Sequence, residues 1–451
     1  MDNNDDEDGC MALPPDKPCD LLSGGSVPKL LKKSAGGEKC CIFRIPQRLE
    51  KNNENAYEPR VVSVGPYHHG KKHLEMIQEH KHRLLGFFMD EVQEKGVDPK
   101  DLIETVSKLE EDIRESYSES LYHGDDDLSG SKKLIDMMVL DGCFILMLFM
   151  VVAGEVRYNG VEDDPIFRVP WILPAIRSDL LLLENQVPFF LLQTIFERSK
   201  MVTSSGLNAI TFNFFSYSID KPDEFWLKRQ KLEANHLLDL VRKIFMPILP
   251  QKQEEETDLP RPFLGLILSA KKLQLRGIKF KPRNNAETLL DIKLNKNVVE
   301  VPQMILDDFI ISVFLNCVAY EQIYADSTNH ITSYVAFMGC LLKHEDDAAF
   351  LNEKGIIENY FGSGVEVSQI FKVIGKDIVF HVSESYLAEV FEGVNEYTSR
   401  GCHVHLAGFV HTHFDTPWTC LSSCAALTLL ILTVFQAFFA GFAYFRPPKD
   451  K

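Results

Sequence analysis

Residues 418–444 read WTCLSSCAALTLLILTVFQAFFAGFAY, and between Asp415 and Arg446 the chain carries no charged side chain. About 20 apolar residues suffice for a helix to cross the hydrocarbon of a bilayer. Within hydrocarbon only a helix satisfies every backbone N–H and C=O from inside one segment. Trp418 and Tyr444 stand where interfacial aromatics belong, and Arg446 and Lys449 end the run. The alternative, a helix buried in a soluble core, is disfavoured by this length and these flanks. A second apolar run, Cys143 to Ala153, is too short to span and reads as a core helix.

The orientation of the span has two opposed expectations. A span so late in the chain, with no signal before it, implies tail anchoring with residues 1–415 in the cytosol. Arg446, Lys449 and Lys451 follow the span, whereas Arg400 is the only Lys or Arg in the fifteen residues before Asp415. That bias places the short tail inside and the domain outside.

Working outward, the chain has 451 residues, enough for one large core or two smaller ones. Asp and Glu number 65 against 48 Lys and Arg, a net charge of −17, which argues against a nucleic-acid binder needing a positive face. The start, MDNNDDED, is acidic and lacks the basic-then-apolar order of a secretory signal. Residues 1–40 carry paired Pro and Gly and few large apolar groups, and read as disordered. Ten cysteines lack the dense spacing of a disulfide scaffold, and no Asn has Ser or Thr two residues on. Both features lean toward a cytosolic main domain.

The remainder reads as mainly α: a large helical domain over 41–400 with a few short strands, a juxtamembrane segment 401–417, one C-terminal transmembrane helix 418–445 and a basic tail 446–451. Leu74, Ile77, Leu84, Leu85, Phe88 and Val92 share one helical face. Ile305, Phe309, Val313, Asn316, Cys317, Tyr320 and Tyr324 share another, with Asp307 and Asp308 suited to the first turn. Leu290–Leu294 alternates, 295–297 can turn, and Val299 and Val301 resume the alternation, which predicts a hairpin. Polar or Pro/Gly-containing stretches near 115–132, 155–165, 200–223 and 251–262 read as loops.

Three constellations invite a chemical reading. Gly65-Pro66-Tyr67-His68-His69-Gly70-Lys71 follows the strand-like Val61–Val64 and superficially resembles a phosphate-binding loop. Position 72 is Lys where a metal-binding hydroxyl is needed, Pro66 lacks an N–H, and the next three residues are bulky, so it reads as a turn. Cys402, His403, His405, His411 and His413 offer zinc ligands but match no established spacing, and read as incidental. Asp141, Glu184 and Glu321 lie in apolar surroundings. Buried carboxylates can be general acids or bases, but more often they hydrogen-bond to backbone, and Glu184-Asn185-Gln186 supplies such a network. No Gly-x-Ser-x-Gly elbow and no His-Glu-x-x-His motif occurs. Cys420 and Cys424 lie one turn apart and read as small residues of the span rather than acylation sites.

Several blocks together resemble the plant family catalogued as domain of unknown function 247, or uncharacterised protein family 0481. They are Ile42–Pro46, Ala56–Pro59, Val62–Gly70 and Leu140–Phe144, then Asp179–Phe190, which contains Glu184, Asn185, Gln186 and Pro188. Ala270–Leu273, Gly277–Phe280, Val301-Pro302, Asn316–Gln322 with Glu321 and Gln322, and Pro417–Gln436 complete the set. Cys317 and Tyr320 depart slightly from the family pattern. The resemblance implies a helical domain with a C-terminal membrane anchor and no established activity; some grass members are implicated in pollen self-incompatibility. Taken together, the residues and the resemblance lead us to expect a non-enzymatic recognition or signalling protein at a membrane, in the first place the plasma membrane. It is expected to bind an unidentified protein partner and no nucleic acid, with no cofactor, catalytic or metal residues assigned. The rival expectation is a hydrolase or metal-dependent enzyme using His68, His69 and the buried acids, which requires His68 to reach one of them in a cleft.

Overall fold

The computed structural model describes residues 31–32, 34–50, 56–121, 127–156, 163–201, 206–216, 223–246, 265–359, 364–376, 378–399 and 417–445. The zinc-ligand cluster at 402–413, most of the acidic N-terminal segment and the basic tail lie outside them.

The first half is helical. It comprises α1 (Gln47–Glu50), α2 (Glu75–Glu94), α3 (Pro99–Ser107), α4 (Glu110–Ser116), α5 (Asp127–Ala153) and α6 (Pro165–Arg168). It continues through α7 (Ile172–Asp179), α8 (Phe189–Arg198), α9 (Gly206–Ser216), α10 (Asp223–Leu227) and α11 (Leu237–Phe245). Helix α5 is the axis, packed by α2, α3, α8 and α9. From α2 it receives Ile77, Leu84, Phe88 and Val92, the face that the sequence spacing predicts, and Lys81 lies on that face too. Against α8 the approach is close: a Cβ on Gly142 would stand 2.5 Å from Ile195 Cδ1.

The second half opens with α12 (Ala270–Leu275) and strands β1 (Lys279–Pro282), β2 (Lys293–Asn295), β3 (Val298–Val301) and β4 (Met304–Leu306). Then come α13 (Asp308–Ile323), α14 (His330–Leu341), α15 (Glu345–Glu353), β5 (Ile357–Asn359), α16 (Gly364–Ile374), α17 (Ala388–Ser399) and α18 (Pro417–Phe445). The predicted hairpin is present, with β2 antiparallel to β3 and Leu294 opposite Val299. Its tight turn places Lys296 at φ +58°, and the Asn297 side chain anchors it to the Gly277 carbonyl at 2.8 Å. Strand β1 joins the other edge of β3 in parallel, and β4 pairs in parallel with β5. Helix α13 contacts α7 and α11 on one side and α14 and α16 on the other, so one hydrophobic core runs through both halves.

Four readings need correction. The 115–132 stretch contains the start of α5, which therefore extends well upstream of the apolar run at Cys143. The 200–223 stretch contains α9, whose Leu207, Ile210, Phe212, Phe214 and Phe215 are buried. Ile305 belongs to β4, exposed, and not to the helix that follows. Val61–Val64 forms no strand, because its backbone groups pair with side chains, as described next. The last helix, by contrast, is as long as the sequence requires: Leu421–Gly441 is uncharged and mostly apolar, and none of it is buried.

Candidate functional site

The family-like blocks converge on the segment 60–70. Asp179, at the end of α7, accepts hydrogen bonds from the amides of Arg60, Val61 and Val62 at 2.7–3.0 Å. Asn185 takes over where Asp179 stops. Its Oδ1 accepts from Val64 N at 2.6 Å, and its Nδ2 donates to the Val62 carbonyl at 3.0 Å. Asp141, midway along α5, accepts from Gly65 N at 2.8 Å through one oxygen and pairs with Lys81 Nζ at 2.5 Å through the other. Lys81 also donates to the Ser63 carbonyl. Side-chain amides and carboxylates thus replace a neighbouring strand, and buried backbone groups are satisfied without a sheet. For Asp179, burial pushes the carboxyl above its ordinary range, more than these amides draw it down.

Gly65 has φ +72°, and a Cβ there would lie 2.5 Å from the Gln186 carbonyl oxygen, so the turn admits only glycine. Gln186 in turn donates to the carbonyls of Leu180 and Leu182, both at 2.7 Å, and accepts from Leu238 N. Tyr117 closes the network from α4, its hydroxyl donating to the Gln186 carbonyl at 2.9 Å. Pro188 is the N-cap of α8. The Gly65 amide is therefore committed to an acid, which is the opposite of a phosphate cradle.

One part of this region faces solvent. A cleft of about 190 Å³ is lined by Arg44, Tyr57, Glu58, His68, Lys71 and Glu184, among others. His68 is buried, with Nε2 3.3 Å from Glu184 Oε2 but off the line of a hydrogen bond. Glu184 is held by Ile45 N at 2.7 Å and Arg44 Nη1 at 3.0 Å. Burial alone would raise its carboxyl; the neighbouring His68, the Ile45 amide and Arg44 hold it below the usual range instead. Arg44 also lies over the Tyr67 ring, 4.3 Å from its centre. Pro66 is half-buried, and His69 is exposed and is not brought to any of the acids. So the reach required of His68 exists toward Glu184 alone. The cleft lining holds no Ser, Thr or Cys to act as nucleophile, and burial pushes the Tyr57 phenol up to about 12.

Glu321 sits elsewhere, in the second half. It accepts from Ile331 N, Thr332 N and the Thr332 hydroxyl at 2.7–3.1 Å, and pairs with Arg242 Nη1 at 3.1 Å. Burial outweighs these partners and raises its carboxyl. Arg242 also meets Asp239, at 3.0 Å. Gln322 clamps both backbone groups of Val379. Three acids that look alike in sequence thus hold three different backbone segments. Among the described residues no group of three or more His, Cys, Asp and Glu could hold a metal ion.

Sequence reasoning passed over Lys81, Asp179, Arg44 and Arg242. Lys81 had a signal: a charge one turn after Ile77 on an apolar face implies a buried partner. Asp179 and Arg44 lie inside the quoted blocks, but nothing local distinguishes them from surface charges.

Comparison with known proteins agrees with this shared framework. A profile described as plant protein of unknown function, DUF247, matches residues 42–432. A UPF0481 protein of Arabidopsis thaliana is 49% identical over 447 residues, covering 95% of this chain and 92% of that protein. A putative UPF0481 protein of the same plant is 22% identical over 504 residues, covering 90% and 91%. No solved structure matches. The profile spans the side-chain-braced segment, the Glu184–Gln186 network and the start of the exposed helix alike, and the chain belongs to the DUF247 family of plant proteins of unknown function.

Proposed function

We propose that this chain is a membrane-tethered recognition protein that binds another protein through the loops of its helical domain, at the plasma membrane in the first place. The observation that supports it is α18: an uncharged, mostly apolar helix long enough to cross a bilayer, none of whose Leu421–Gly441 stretch is buried among the described residues. A soluble protein does not leave such a surface in water, whereas lipid accepts it without cost. The domain complements this reading. Its buried charged groups brace backbone or one another, which leaves recognition to the surface.

One observation favours the rival hydrolase, the His68–Glu184 pair at the mouth of a cleft. With no nucleophile in that lining, the reaction would have to use water, with His68 as base. A His68→Gln variant that folds and loses a measurable hydrolysis would support it.

The decisive experiment for the tether is protease protection, with an epitope tag placed before residue 41 and sealed right-side-out plasma-membrane vesicles. A protected tag places the domain in the cytosol with intracellular partners. Removal by external protease makes it a cell-surface recognition domain. Release of the chain by alkaline carbonate would sink the membrane-spanning reading in either case.

A further inference from the structure

A groove of about 540 Å³ opens between α14, α16 and the segment 378–383. It exists because side chains are missing: Ala336 and Gly339 on α14 face Gly375 at the end of α16. A Cβ on Gly339 would meet the Phe371 carbonyl only at 3.7 Å, so there is room there that packing has not used. Ile378 and Phe380, half-buried, supply apolar walls over the covered Val335 and Phe371, and Leu266 stands at the mouth with 60% of its surface in water.

The charges at this groove run against those of the chain. In a protein of net charge −17, its lining includes Lys343, Lys372 and His381 and no Asp or Glu. Neither lysine has an ion-pair partner among the described residues. Apolar walls with cationic groups and no acid complement a molecule with an apolar body and one negative end. The volume lies in the ordinary range of small-molecule sites, roughly 300–1,000 Å³. That suits a compact single-bodied acid better than a two-chain lipid.

We propose that this groove binds a small amphiphilic carboxylic acid, its apolar body against Leu266, Ile378 and Phe380 and its carboxylate toward Lys343 and Lys372. The site is separate from the braced segment and from the His68 cleft, and does not depend on the proposed function.

The test uses the full chain in phosphatidylcholine nanodiscs and the photoreactive acid 4-benzoylbenzoate, with labelled peptides mapped by mass spectrometry. Neutral benzophenone and a cationic benzophenone ammonium serve as comparison probes. Label from the acid is expected within 335–343 and 371–383, and in excess over both comparison probes. Lys343→Glu with Lys372→Glu, both exposed, should cut it roughly fivefold, as two exposed charge contacts would. Ala336→Phe, which fills the groove without touching the charges, should cut it as well. Unchanged melting of the variants verifies that they fold. Equal labelling by all three probes, label confined to α18, or label indifferent to both variants would each overturn the proposal.

Discussion

Among the described residues two helices are long and apolar enough to cross a membrane, and they differ in what surrounds them. Within Gly130–Ala153 of α5 the most apolar 18-residue stretch is 83% buried inside the protein, while that within Leu421–Gly441 of α18 is 0% buried. A helix that is apolar all round must be covered by something, and hydropathy does not say by what. What separates the two is charge and company. Helix α5 carries Asp141 in its middle, paired with Lys81, and is enclosed by α2, α3, α8 and α9. Helix α18 has no charge, and Leu421–Gly441 is not buried among the described residues. An acid at mid-bilayer is costly, so Asp141 alone argues that α5 belongs in a protein interior.

The comparison is broken most severely by moving one substitution between the two helices. Leu146→Arg in α5 puts an unpaired charge at a fully buried position. An uncompensated buried charge costs about 3–5 kcal/mol or more, a large share of a domain's typical stability of about 5–15 kcal/mol. The domain should lose its cooperative melt, yet the chain should stay in the membrane fraction. Leu430→Arg with Val434→Arg in α18 should do the reverse. At about 2.5–3.5 kcal/mol per arginine near the bilayer centre, insertion weakens by about 5–7 kcal/mol. Carbonate should then extract the chain while its melting midpoint is unchanged. If both variants lose both properties, the two helices are not independent.

Next comes the charge that marks α5. Lys81→Ala leaves Asp141 buried beside Gly65 N with no counter-charge, and should cost about 3–5 kcal/mol in a urea titration. Lys81→Met with Asp141→Leu removes both charges, and most of that loss should return, less the hydrogen bonds to Gly65 and Ser63. If the double variant is as unstable as the single one, the acid's grip on the 60–65 segment, and not the ion pair, is the larger contribution.

These two helices also show what was legible in sequence. The long C-terminal apolar helix was, since twenty-odd uncharged residues in a row admit few structures. So were the α2 face, the β2–β3 hairpin and the first turn of α13, all set by local spacing. The core role of α5 was legible only from Cys143 on, because Asp136, Asp141 and two lysines interrupt the run upstream. The bracing network was half legible. Asp141, Glu184 and Glu321 stand out by their apolar neighbours, whereas their partners Lys81, Arg44 and Arg242 lie 60, 140 and 79 residues away. Non-local pairing leaves no periodic trace. For the same reason Val61–Val64 reads as a strand, when the groups that pair with it come from α2, α7 and the loop before α8.

A smaller effect separates the domain from the span by pH. His236 is fully buried at the start of α11, accepting from Asp239 N at Nδ1 and lying 3.2 Å from the Cys41 carbonyl at Nε2. Burial lowers its pKa to about 4, and the neutral ring is the one that can accept at Nδ1. The folded state therefore resists protonation, so its stability is fully present above the unfolded value near 6.5 and declines as pH falls toward 4. Between pH 7 and 5 His236 alone should account for a loss of about 2 kcal/mol, and His236→Asn should remove that share. Helix α18 has no acidic, basic or imidazole side chain between Pro417 and Phe445, so membrane retention should be indifferent over the same range. His330, also lowered to about 4 by burial, should leave a residual slope in the variant.

The smallest effect concerns how each helix begins. Helix α13 starts within the domain, where Asp307 accepts from Ile310 N at 2.8 Å and so satisfies one of the free amides of the first turn. Asp307→Ala should cost about 1 kcal/mol in the melt of the domain. Helix α18 has Pro417 at its first position, which removes one of those amides. Asp307→Asn divides the cause, since it keeps an acceptor and discards the charge. Stability close to the parent would assign the effect to the hydrogen bond, and a loss equal to that of alanine would assign it to the carboxylate's attraction for the helix dipole. Neither substitution should change what carbonate extracts, because the start of α13 bears on the domain alone.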